Sequence, residues 1–153
     1  MVGAVDWNFG DIFEAIDEAL PDDAPALIHD GVVLRWADFA HRTNNLAAAL
    51  LARGAQPDDK LAIYTRNRPQ YVEALVAGFK ARLVHVNVNF RYLDEELAYI
   101  LYNSDARFVV FDPEFAEHAA ALAPRCLTPR PTRRSSPQVI NPRSSIRAFG
   151  PST

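Results

Sequence analysis

Few side chains in this sequence pair a reactive type with a useful spacing. Arg66 and Arg68 flank Asn67 just after the apolar stretch Leu61 to Tyr64, where two guanidinium groups at a helix start could meet a phosphate. That chemistry also asks for glycines, so that backbone N–H groups can approach the anion, and Thr65-Arg66-Asn67-Arg68-Pro69 contains none. The six glycines (Gly3, Gly10, Gly31, Gly54, Gly78, Gly150) form neither G-x-G-x-x-G nor G-x-x-x-x-G-K-[ST]. The two arginines therefore read as solvated surface residues. Asn87 and Asn89 share one face of a strand with His85, opposite Val84, Val86 and Val88. A ligand pair at the strand's carboxyl end is one reading; amides satisfying loop backbone, beside a structural histidine, is the reading adopted. Asp94, Glu95 and Glu96 could be a catalytic carboxylate cluster, but at the first turn of a helix they complement the macrodipole. The four histidines (His29, His41, His85, His118) lack a partner at metal-ligand spacing. Ser104 has no G-x-S-x-G elbow and reads as part of a helix-to-strand turn, Asn103-Ser104-Asp105. No catalytic, cofactor-binding or metal residue is assigned.

The elements that would position these groups follow from periodicity. Phe9, Ile12, Phe13 and Ile16 predict a helix over residues 8–20, ended by Pro21. Residues 26–34 predict a hairpin turning on Asp30-Gly31, which supplies the positive φ angles of a tight primed turn. A helix over 37–53 buries Phe39, Ala40, Leu46, Leu50 and Leu51, with Gly54 as its left-handed terminator. A strand over 61–64 leads into a helix capped by Asn67, with Pro69 in its first turn and an apolar face of Val72, Leu75, Val76 and Phe79. Then come a strand (83–88), a helix (94–102, with Leu93, Leu97, Ile100 and Leu101 inward), a strand (107–111) and a helix (113–122). Strands alternating with helices from residue 61 give an α/β fold: a partial parallel sheet of at least three strands with flanking helices, plus the N-terminal helix and β-hairpin.

Charge divides the chain in two. Residues 1–125 hold all 19 acidic side chains and 11 of the 16 basic ones, a balance of −8. Residues 126–153 hold five Pro, five Ser, three Thr and five Arg without Lys, Asp or Glu. The acidic body argues against a nucleic-acid-binding core. Arg130, Arg133, Arg134, Arg143 and Arg147 could bind RNA, but with only Phe149 as an aromatic the segment reads as a disordered tail. A single Cys126 excludes an intramolecular disulfide, residues 1–14 carry acids rather than a basic-then-apolar signal, and the longest apolar run, 46–52, is too short to span a bilayer. These features predict a cytoplasmic protein.

Three stretches carry a family resemblance: Lys60-Leu-Ala-Ile-Tyr-Thr-Arg-Asn-Arg-Pro-Gln-Tyr-Val-Glu-Ala-Leu, Lys80-Ala-Arg-Leu-Val-His-Val-Asn-Val-Asn-Phe-Arg-Tyr and Asp94-Glu-Glu-Leu-Ala-Tyr-Ile-Leu-Tyr-Asn-Ser-Asp-Ala-Arg-Phe-Val-Val-Phe-Asp. Together they resemble the N-terminal region of AMP-forming acyl-CoA synthetases, in the fatty-acyl-CoA ligase branch, over roughly residues 8–125. His85 departs from the proline that the family commonly has there. The resemblance implies ATP- and Mg²⁺-dependent adenylation of a carboxylic acid, then thioester formation with coenzyme A. The phosphate loop and catalytic motifs of the family lie beyond the matched region. The expectation is an incomplete ligase N-terminal subdomain (1–125) that binds no cofactor and is inactive alone, followed by an out-of-frame tail (126–153). An unpaired sheet edge invites self-association. The rival readings are a non-enzymatic partner-docking module and a small nucleotide-binding protein.

Overall fold

The computed structural model describes residues 7–122 and the backbone of Gln138–Ile140. The first helix, α1 (Phe9–Ala19), opens on a reciprocal cap: Asp11 N–H donates to Asn8 Oδ1 (3.1 Å), and Asn8 N–H donates to Asp11 Oδ2 (2.9 Å). Strands β1 (Pro25–His29) and β2 (Val32–Arg35) form the expected hairpin, with Leu27 opposite Leu34 and His29 opposite Val32. Asp30 (φ 50°) and Gly31 (φ 74°) both take the left-handed conformation that a type I′ turn needs.

Helix α2 (Trp36–Ala52) precedes β3 (Lys60–Tyr64), α3 (Pro69–Lys80), β4 (Val84–Asn87), α4 (Asp94–Asn103) and β5 (Ala106–Phe111). A 3₁₀ turn at Pro113–Phe115 then leads into α5 (Ala116–Leu122). The sheet is parallel in the order β4-β3-β5-β6, where β6 is Gln138–Ile140. This last strand departs from a tail without structure: its backbone pairs with β5, Val110 opposite Ile140. The sequence there is Gln-Val-Ile, the only adjacent β-branched pair after residue 126, next to a strand edge with unpaired donors and acceptors. The rest of residues 126–153, including Cys126 and the five arginines, lies outside the described residues.

Alternation along the central strands sends side chains to two cores. Leu61, Ile63, Phe108 and Val110 pack under α2 and α3 with Leu46, Leu50, Ala74 and Ala77. Ala62, Tyr64, Val109 and Phe111 face Val88, Leu97, Leu101, Phe115 and Leu122 on the other side. The crossovers from β3 to β4 and from β4 to β5 run in opposite directions, so α3 and α4 cover opposite faces. Two residues expected inside are outside: Leu51 is half exposed, and Leu93 stands in the loop before α4, 65 % exposed. In α2 the buried stripe is instead Phe39, Thr43, Leu46, Ala47 and Leu50, since Leu51 is rotated about 100° from Leu50 at 3.6 residues per turn.

Helix α1 docks on α3 rather than on the sheet. Gly10 is buried there, and a Cβ at that position would lie 2.6 Å from Phe79 O and 2.9 Å from Lys80 Cα. Lys80 Nζ, nearly buried, donates to Asp17 Oδ2 (2.6 Å) and Asn44 Oδ1 (2.8 Å), and Trp36 Nε1 donates to Asp17 Oδ1 (2.7 Å). One carboxylate thereby joins α1, α2 and α3.

Candidate functional site

Strand order reverses around β3, because the chain leaves it for β4 on one side and later for β5 on the other. In open α/β sheets the crevice beyond the carboxyl ends of the strands at such a point is where ligands sit. Here three segments converge: residues 65–68 after β3, 88–93 after β4 and 112–115 after β5.

The crevice is filled by the chain's own charges. Arg66 donates through Nε and an Nη to the two Glu114 oxygens at 2.9 and 3.0 Å. Arg68 reaches the same carboxylate at 3.3 Å through Nη and approaches Asp112 Oδ2 at 3.4 Å through Nε. Asp112 is 2 % exposed and also accepts the main-chain N–H of Arg66 at 2.9 Å. The Arg66 guanidinium lies 5.0 Å from the Phe90 ring centre and 5.7 Å from that of Phe115, which stacks at 4.6 Å on Tyr64. The hydrogen bond from Arg66, and then its charge, hold the Glu114 carboxyl below its usual range, and the same bond raises Arg66. Burial, then the Asp94 charge, raises the Tyr64 phenol, whose O–H donates to Tyr92 O at 2.9 Å.

The arginines are thus paired rather than simply solvated. Their carboxylates, Asp112 and Glu114, lie more than an element pair downstream, out of reach of any local pattern. Asn67 does not cap α3: the N-cap is Arg68, in extended conformation, and Pro69 is the first helical residue. Asn89 does serve loop backbone, accepting the Arg91 N–H at 3.0 Å, while Asn87 is exposed on the outer strand β4. His85 stands apart from the crevice contacts, half-buried and 3.3 Å from the Tyr71 hydroxyl; burial lowers its pKa. In the acidic run, Glu96 accepts the Leu93 N–H (2.9 Å) at the helix start and Asp94 accepts from His118 Nδ1 (2.7 Å). His29 pairs with Asp30 and His41 with Asn45. Ser104 ends α4, its hydroxyl 3.4 Å from Leu101 O.

Among the described residues no group of three His, Cys, Asp or Glu could hold a cation, and the turn at the switch point has no glycine. Among them no helix is long and apolar enough to cross a membrane.

Comparison with known proteins supplies the lineage. The family model for the AMP-binding enzyme matches residues 13–145, so the match runs past the boundary expected at residue 125 and includes β6. A 3-oxocholest-4-en-26-oate–CoA ligase of Rhodococcus rhodochrous is 37 % identical over 117 residues, 76 % of this chain and 21 % of its own length. A medium/long-chain-fatty-acid–CoA/3-oxocholest-4-en-26-oate–CoA ligase of Mycobacterium tuberculosis (strain CDC 1551 / Oshkosh) is 37 % identical over 121 residues, 79 % of this chain and 22 % of its own. In structure, the N-terminal domain of FACL13 from Mycobacterium tuberculosis superposes with a TM-score of 0.75 at 19 % identity, over 96 % of this chain and 38 % of that one. The chain spans about a fifth of the length of the curated relatives it matches. A match over most of its residues, with this strand order and these relatives, shows that the chain belongs to the AMP-binding enzyme family.

Proposed function

We propose that this chain corresponds to the N-terminal scaffold of an AMP-forming acyl-CoA ligase acting in the cytoplasm, where ATP and coenzyme A are supplied. The whole enzyme would join ATP to a carboxylic acid, in the fatty-acid class, giving an acyl-adenylate and pyrophosphate. Attack by the thiol of coenzyme A would then give the thioester and AMP. The observation that carries the reading is the 37 % identity over 117 residues to a CoA ligase, of which the match covers 21 %. The geometry supports a division of labour. The described residues form two packed cores on a sheet whose switch-point crevice is occupied by Arg66, Arg68, Asp112 and Glu114. This portion would shape and stabilise the sheet, and the nucleotide, Mg²⁺ and coenzyme A would be held by the remainder of such an enzyme.

The test is direct. The purified 153-residue chain, given ATP, Mg²⁺, coenzyme A and a fatty acid, is expected to release no pyrophosphate and form no thioester. Turnover would overturn the reading. Calorimetry with ATP alone is expected to show no saturable heat; micromolar binding would favour the small nucleotide-binding protein.

A further inference from the structure

Strand β4 forms one margin of the sheet. Its parallel pairing with β3 uses the backbone of alternate residues: Val84 N–H donates to Asp59 O (2.9 Å) and Val88 N–H to Ile63 O (3.1 Å). The N–H and C=O of His85 and Asn87 therefore point away from the sheet. Val-His-Val-Asn contains no proline, lysine or carboxylate, so the margin lacks the usual devices that blunt an open edge. The two ends of the strand differ in charge. Asp58 stands exposed at the entry, its N–H donating to Arg82 O (3.0 Å), and Arg91 follows the exit, exposed over the Phe90 ring. Arg82 is held by Asp11 (3.0 Å), and Lys60 Nζ donates to the Asp58 carbonyl (2.8 Å) rather than to its carboxylate. Asp58 and Arg91 make no ion pair of their own among the described residues.

We propose that this margin pairs with the same margin of a second copy of the chain, antiparallel, about a two-fold axis through Val86. That register uses every outward group. His85 opposite the partner's Asn87, and Asn87 opposite the partner's His85, are both hydrogen-bonded pairs and together supply four N–H···O bonds. Val86 faces the partner's Val86 in a non-hydrogen-bonded pair, with Cα atoms about 4.5 Å apart. Val84, 40 % exposed, stands opposite the partner's Val88 and is covered. The same axis brings the Asp58 end of each strand to the Arg91 end of the other. A second copy is thus complementary both in hydrogen bonds and in charge. Head-to-tail pairing of β4 with the partner's β6 would grow without closing, whereas the two-fold pairing uses both β4 margins and stops at two. The paired strands are short, so the dimer is a weak one. This inference rests on the sheet's geometry and is independent of the ligase reaction.

Sedimentation velocity of the full chain should show a mass that rises with concentration and stops at the dimer. His85→Pro removes an outward N–H at a place where proline is tolerated, because that donor has no partner within the sheet. It is expected to weaken association about tenfold, since two of the four bonds are lost. The register is read with Val86→Cys in a Cys126→Ser background. Mild oxidation should couple the two copies, because a disulfide spans Cα atoms about 4.4–6.8 Å apart. Val84→Cys in the same background should couple at least tenfold more slowly, its two copies lying roughly 14 Å apart along the paired strands. A chain that stays monomeric, mass growing past the dimer, His85→Pro associating as the unmodified chain does, or Val84→Cys coupling as fast as Val86→Cys would each overturn the proposal. Should His85→Pro lose its native circular dichroism, hydrogen exchange on the unmodified chain decides. The amides of His85 and Asn87 should slow about tenfold between dilute and concentrated samples, and unchanged rates would overturn the pairing.

Discussion

At the residue scale, Glu73 carries a consequence for stability. Its carboxylate is 3 % exposed between α2 and α3 and is met by Arg42 Nη at 2.9 Å. Removing Arg42 strands a buried charge, whereas replacing both residues by apolar ones does not. Arg42→Ala is expected to cost about 2–3 kcal/mol, a discount on the fully buried case because the arginine is itself 37 % exposed. An Arg42→Met/Glu73→Leu double variant should recover most of it in urea unfolding. His85 gives the pH dependence. Burial holds its pKa below the ordinary value, so the native ring resists a proton that the unfolded chain accepts. Stability is therefore full above about pH 6.5 and falls as pH drops through that value, until the native ring also titrates. His85→Gln should remove that share of the slope, read as the difference between the two urea midpoints at about pH 5.5 and pH 7.5. The residue type of His85 was visible in the sequence. The Arg66–Glu114 and Arg68–Asp112 pairs were not, because ion pairing across a parallel sheet joins residues with no sequence proximity.

At the element scale, sequence reading worked where periodicity is strong and missed at Leu51, Leu93 and the Asn67 cap. Five helices, the hairpin and three parallel strands follow from apolar spacing and turn chemistry. Helix ends were legible where glycine or proline marks them: α1 stops at Ala19, just before Pro21. Three helices close on a left-handed residue: Gly54 (φ 84°) after α2, Arg82 (φ 58°) after α3 and Asp105 (φ 54°) after α4. After α3, Arg82 N–H donates to Phe79 O and Leu83 N–H to Gly78 O, the pattern glycine usually completes. An arginine there gives no signal in composition. The contact of α1 with α3 was also silent, because a buried glycine in a helix looks like a weak helix former rather than a docking point. Its geometry makes a sharp prediction. A methyl group at Gly10 would meet backbone atoms of Phe79 and Lys80, which cannot rotate away. Gly10→Ala is expected to destabilise by about 1–3 kcal/mol, despite better helix propensity, by prising α1 from α3. Hydrogen exchange should then rise in α1 and leave β3 and β5 unchanged. Protection of α1 at native levels would contradict the contact.

For the whole molecule the question is what remains uncovered. Both faces of the sheet are packed, and β6 lies against the outer side of β5. The other margin is β4, which among the described residues pairs only with β3. Val84 N–H donates to Asp59 O and Val88 N–H to Ile63 O, so alternate residues point inward and the backbone groups of His85 and Asn87 point outward. Beside this margin lie Phe9, 63 % exposed, and Val84 at 40 %. A groove between α1 and the start of β4 is lined by Phe9, Phe79 and Val84 together with Asp58, Arg82 and His85. An open edge next to the exposed ring of Phe9 favours strand addition, and the four-residue length of β4 limits it without abolishing it. Sedimentation velocity should therefore show mass rising with concentration at the micromolar level. Val84→Lys puts a charge on the margin at an exposed position, where folding is little affected, and should return the chain to monomer. A wild-type chain that stays monomeric at every concentration would overturn this reading of the β4 margin.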